Sequence, residues 1–268
     1  MNFKKISGII LSITIILGGS AALAMDTKNI DTEIGSKTAR KHEGEKKIID
    51  VPYINQNDIV YGCEAVSSTM LLQYYGYKIN EKDFTDKYLI KKDWHIEDGK
   101  IYGPDPDAAF PGDPYISSGL NCGFGSYSPS TAKSINKILD SSKHKAVSQK
   151  GLSLEEITEK YIKNDVPVLI WATMNMREPK KTTSWIIDYV DENSKLKIGD
   201  EFTWLSEEHC LVLVGYDDEN YYFNDPYKNH GRIAYKKSLV EERYTAMGSQ
   251  CVYITNVDAK TTQEKDKE

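Results

Sequence analysis

Cys63, His209 and Asp225 are the residue types that cleave acyl bonds when a fold brings them together. The thiol attacks a carbonyl, the imidazole takes its proton, and the carboxylate fixes the ring's tautomer. In this chain of 268 residues His209 follows Cys63 by 146 positions, and Asp225 follows His209 by 16. Cys63 stands near the start of GCEAVSSTMLLQYYG. There Val66, Met70 and Gln73/Tyr74 recur at three- and four-residue steps and Gly76 supplies a left-handed stop, so the spacing predicts a helix over 62–75. A thiol in its first turn meets unpaired backbone N–H groups and the positive end of the helix dipole, which favour a thiolate. Taken alone, Cys63 reads more simply as a small buried hydrophobe, so the nucleophile reading depends on a base and a group that orients it.

The chain has five histidines. His42 lies in a charged leader, His144 in the polar link SSKHKA, and His95 and His230 in loops, so none of these is well fixed. His209 opens an apolar strand, where a sheet holds the backbone and the side chain can be aimed. The segment HCLVLVGYDDENYYFNDPY reads as a hairpin turning at Asp218 to Asn220, which returns Asp225 to the neighbourhood of His209. Seven positions before the cysteine, Gln56 in VPYINQND offers a side-chain amide to the oxyanion, beside the Cys63 backbone N–H.

The elements that must position these groups follow an α-then-β order. A second helix is expected over NEKDFTDKYLIKK with Asn80 as its cap. From about Trp94 to Ser128 the chain is dense in Gly, Pro and Asp, the composition of a long ordered loop, and its aromatics argue that it packs on something. A helix over 130–140 follows, then SLEEITEKYIKND with Ser153 and Glu156 as a capping box. Strands are expected at VPVLIWATM, TTSWIIDYV, EFTWL and the hairpin, then a short helix at KSLVEERYTAMG and a closing strand at QCVYIT. Helices packed on a C-terminal antiparallel sheet make an α+β fold. No internal repeat is present.

VPYINQND with GCEAVSSTMLLQYYG, the loop DPDAAFPGDPY with the later SYSP, and EHCLVLVGYDDENYYFNDPY together resemble the papain-like cysteine peptidases related to bacteriocin-processing, double-glycine-cleaving peptidases, in a stand-alone form. The resemblance covers roughly residues 49–254. It implies a papain-like fold, Cys63 as nucleophile, His209 as base, Asp225 as orienting residue and Gln56 in the oxyanion hole. It also implies a cleft at the long loop, with Phe110, Gly112, Asp113 and Tyr127 as substrate-binding residues. The processing peptidases are fused to export transporters; this chain has no transporter segment, so the double-glycine substrate does not carry over.

Residues 1–24 have the form of a signal peptide: Lys4 and Lys5, an apolar stretch to Leu17, and Ala22 and Ala24 at a cleavage site. An uncleaved signal anchor is the alternative. No later apolar run exceeds the seven residues of VPVLIWA, so no membrane span is expected after cleavage. Residues 25–47 read as a disordered charged tether, 48–257 as the peptidase domain and 258–268 as a disordered tail. A net charge of −6 argues against nucleic acid. Four cysteines (Cys63, Cys122, Cys210, Cys251) in an exported chain leave a Cys122–Cys251 bridge open, while a nucleophilic Cys63 must stay free.

No cofactor is expected, and without Cys-x-x-Cys or His-Glu-x-x-His no zinc site has sequence support. Asp98, Asp105, Asp107 and Asp113 lack the spacing of a calcium loop. Cys210, Trp185 and Trp204 read as packing residues. Glu64 suits a helix N-terminus but would oppose thiolate formation. The sequence therefore predicts a monomeric cysteine peptidase, secreted or cell-surface associated, acting on a peptide or protein. The alternatives are a cell-wall peptide amidase of the same chemistry and a catalytically silent module that binds peptide or cell envelope.

Overall fold

The structure is a computed structural model and describes residues 45–57, 59–192 and 194–257. The signal peptide, the tether up to residue 44 and the tail from 258 lie outside the described residues. In chain order the elements are β1 (Lys47–Ile48), α1 (Cys63–Tyr74) and α2 (Glu81–Asp83), the last continuing into a π-helical turn over Phe84–Tyr88. Four short strands follow: β2 (Lys91–Lys92), β3 (His95–Glu97), β4 (Lys100–Pro104) and β5 (Phe110–Pro111). Then come α3 (Ser128–Asn136), β6 (His144–Lys150), α4 (Leu154–Lys160), β7 (Val168–Thr173), β8 (Lys181–Tyr189) and β9 (Glu201–Leu205). The chain closes with β10 (Glu208–Tyr216), β11 (Asn220–Asp225), β12 (Gly231–Lys236), α5 (Lys237–Ala246) and β13 (Gln250–Asn256).

The main sheet has the order β12-β11-β10-β7-β13-β6, with β1 added beside β10, and every pairing in it is antiparallel. β7 and β10 are buried along their whole lengths, the mark of strands covered on both faces. Helices α1 and α5 both pack against β7, and α3 packs against β6. The fold is thus α+β, as the order of sequence patterns predicts.

α1 is less amphipathic than its spacing suggests, because every residue from Cys63 to Leu72 is buried. Such a helix is central, and its polar members need internal partners. Ser67 Oγ donates to the Cys210 carbonyl at 3.0 Å and Thr69 Oγ1 to the Ala65 carbonyl at 2.8 Å. Gly76 stops the helix with a φ of 85°, as expected. Asn80 caps α2 by accepting from the Asp83 N–H at 2.7 Å. That second helix is shorter than predicted, since the π turn ends it at Tyr88 and Lys91–Lys92 become a strand.

The long segment from Trp94 to Tyr127 is ordered, and its aromatics do pack. Phe124 lies 6.2 Å from the Trp94 ring, 5.1 Å from Trp185 and 5.8 Å from Trp204. What the composition hides is that this segment also forms strands. β3 and β4 join β8 and β9 in a separate four-stranded sheet, in which β4 and β8 run parallel. Trp185, Ile187 and Trp204 form a second small core beneath it.

The tether boundary moves by a few residues, because Lys47 pairs with Tyr216 in the sheet and its Nζ meets Asp165 at 2.9 Å. All four cysteines are free thiols, so Cys122 and Cys251 form no bridge.

Candidate active site

Three elements meet at the site: the N-terminus of α1, the start of β10 and the end of β11. Cys63 is the first residue of α1. Pairing of β10 with β7 sets His209 opposite Ala172, and the β10–β11 hairpin returns Asp225 to the same end of the sheet. The His209 Nε2 lies 2.7 Å from Asp225 Oδ1, with both side chains buried. Asp225 Oδ1 also accepts the Tyr227 N–H at 2.9 Å, and Oδ2 meets His230 Nδ1 at 3.1 Å. Burial opposes the charge on Asp225, but the bonds from His209, Tyr227 and His230 outweigh it and hold the carboxyl below its usual range. A carboxylate at Nε2 places the imidazole proton there and leaves Nδ1 as the basic nitrogen.

The thiol makes a bond that the sequence does not foresee. Cys63 Sγ donates to Glu64 Oε2 at 3.2 Å, and the Cys210 backbone amide donates toward the sulfur. Burial pushes the Cys63 thiol well up, and the neighbouring carboxyls of Glu64 and Glu208 add to the shift. The helix-terminus advantage is therefore outweighed, and burial favours the protonated thiol of Cys63. Glu64 accepts the Ser126 backbone N–H, yet burial pushes it up to about 7. Burial and then Glu64 push Glu208 well above the carboxylate range.

Gln56 is buried near the site, and its Nε2 donates to the Val60 carbonyl at 2.7 Å, which leaves the second amide proton for another acceptor. One of the expected substrate-binding residues is corrected by its surroundings, since Phe110 is fully buried in the main core. The half-buried Tyr127 ring stacks on Trp204 at 5.7 Å. Gly112 takes a left-handed φ of 85° against the Cys122 backbone, and Asp113 Oδ1 accepts the Tyr115 N–H at 2.9 Å. These two shape the loop that docks on Tyr61, whose backbone N–H donates to the Pro114 carbonyl.

His230 and Glu208 are members of the site that sequence reasoning passed over. His230 reads as a loop residue, and the available signal is its position five residues after Asp225. Glu208 precedes His209 in β10, and one of its carboxylate oxygens lies within 4.8 Å of the Cys63 sulfur.

Comparison with known proteins agrees with this architecture. Residues 48–252 match the family model of the peptidase C39-like family. The chain belongs to that family. The Bacillus subtilis (strain 168) uncharacterized protein YvpB is 27% identical over 228 residues, covering 84% of this chain and 82% of YvpB. A crystal structure from Bacillus anthracis, described as a C39-like peptidase, is 28% identical with a TM-score of 0.65, covering 79% of this chain and 98% of that one. A double-glycine motif protease from an AMS/PCAT transporter, solved with leader peptide, is 15% identical with a TM-score of 0.43 over 79% of this chain and 95% of that one.

Proposed function

We propose that this C39-like chain is an exported cysteine peptidase that hydrolyses peptide amide bonds through an acyl-enzyme on Cys63. The observation that carries the reading is the buried His209–Asp225 pair at 2.7 Å on the strand packed against α1, the helix that Cys63 begins. His209 Nδ1 takes the thiol proton as sulfur attacks the carbonyl carbon, so no standing thiolate is needed. The Cys63 backbone N–H and the spare Gln56 amide proton stabilise the oxyanion. When the C–N bond breaks, the imidazolium gives its proton to the leaving amine. Water then attacks the thioester with His209 again as base, releasing the carboxylic acid and the thiol.

The substrate class is a peptide or protein, and the signal-peptide form of residues 1–24 supports a site of action outside the cytoplasm. Cys63→Ala is expected to abolish hydrolysis of an unstructured protein substrate while leaving the circular dichroism melt in place. Hydrolysis that survives in this variant overturns the proposal. A wild-type chain that binds peptide without cutting it instead supports the silent binding module.

A further inference from the structure

Glu208 has no part in that mechanism, yet its carboxyl is buried beside the thiol. It is 7% exposed, and among the described residues its Oε1 has no hydrogen-bond partner. A bare buried carboxyl oxygen forfeits the hydrogen bonds that water would give it. It points into a compact group: the Cys63 sulfur and one carboxylate oxygen each from Glu64 and Glu208 lie within 4.8 Å of one another. Three potential anions in one dry space call for a cation or for protons.

The surrounding backbone keeps this space open. Gly125 faces both carboxylates, and a Cβ there would collide with Glu208 Oε2 and stand 2.9 Å from Glu64 Oε1 and 3.0 Å from Trp204. Ser126 is pinned between two elements, its N–H on Glu64 and its carbonyl accepting Trp171 Nε1–H at 2.8 Å. Glu64 is likewise fixed by that amide, so one of the three donors sits on a rigid support. One thiolate with two carboxylates is a mixed sulfur and oxygen set. Calcium and magnesium prefer oxygen alone, whereas a thiolate selects a softer ion, and zinc accepts both donor types in a tetrahedral shell.

We propose that Cys63, Glu64 and Glu208 bind a zinc-class divalent cation that masks the nucleophile. Coordination displaces the thiol proton, together with the protons held between the Glu64 and Glu208 carboxyls, to solvent and joins the metal to sulfur and two carboxylate oxygens, leaving a fourth position for water. The ion occupies the lone pair that would attack substrate, so the bound form is latent and a chelator restores the free thiol. The effect on turnover rests on the peptidase reading; the binding itself does not.

Cobalt(II) is the probe, titrated into the purified, chelator-stripped protein. One equivalent is expected to give a thiolate-to-cobalt charge-transfer band, and zinc to displace it. Cys63→Ser is expected to remove the band, and Glu208→Gln to weaken zinc binding by at least about tenfold. If Glu208→Gln fails to fold, the unaltered protein still decides. Zinc should then slow iodoacetamide alkylation of Cys63 by at least about tenfold, read by mass spectrometry, with Cys122 as the internal control. A band that survives Cys63→Ser, or Cys63 alkylation indifferent to zinc, overturns the site and leaves protons shared between the carboxyls as the occupants. No substrate enters these measurements. A chain that binds zinc but hydrolyses nothing therefore overturns the peptidase proposal alone, and one that hydrolyses with Cys63 unprotected overturns the metal site alone.

Discussion

Asp225 serves His209, His230 and the Tyr227 amide with two oxygens and no exposed surface. That crowding explains why it stays ionised in a dry setting: each donor offsets part of the desolvation cost. Asp225→Asn keeps the shape but lets the amide donate, which permits the tautomer with its proton on Nδ1, the nitrogen that must be a base. Where the peptidase chemistry operates, kcat is expected to fall by about 10²–10⁴-fold, as when the orienting carboxylate of a triad is neutralised. The check is steady-state kinetics beside a thermal melt; unchanged kcat in a folded variant removes Asp225 from the mechanism. The residue types of this site were legible in the sequence, and so was the pairing of His209 with Asp225. The hydrogen bond from Cys63 to Glu64 was not, because adjacency in a helix does not say which way either side chain turns.

β10 carries the site because it supplies Glu208, His209 and Cys210 in succession. His209 goes to Asp225, while Glu208 and Cys210 lie against the first turn of α1. The long segment between α2 and α3 contributes Gly125 and Ser126 to the same place, although its Gly and Pro content reads only as loop. Its strands escape sequence analysis because β3 and β4 are short and gain their stability from β8, a partner far along the chain. Gly125→Ala is expected to force Glu208 and Trp204 aside and to destabilise the fold by about 1–3 kcal/mol, the usual range for overpacking. Denaturant unfolding measures this directly, and a variant as stable as the parent would show that the carboxylates have room to move.

Across the whole molecule the buried acids make stability depend on pH, and their signs differ. Burial raises the folded-state pKa of Glu64 to about 7 and raises Glu208 as well, against about 4.3 for an unfolded glutamate. Their contribution is full below the unfolded value and is lost as pH rises through the folded one. Asp225 is depressed, so its contribution is present above about 3.9 and is lost as pH falls through its folded value. Metal-free, chelator-treated protein should accordingly melt higher at about pH 5.5 than at about pH 8. Each kcal/mol lost shifts Tm by roughly 2–4 °C in a domain of this size. A melting temperature that rises over that interval contradicts the buried carboxyl pair. By itself the sequence determined the helix opening at Cys63, the hairpin joining His209 to Asp225 and the α+β order, since each rests on local periodicity and turn chemistry. Only the tertiary structure decided that Glu64 and Glu208 converge on the thiol and that Phe110 is a packing residue. Burial and contacts between residues more than a hundred positions apart belong to the packed chain and leave no local pattern.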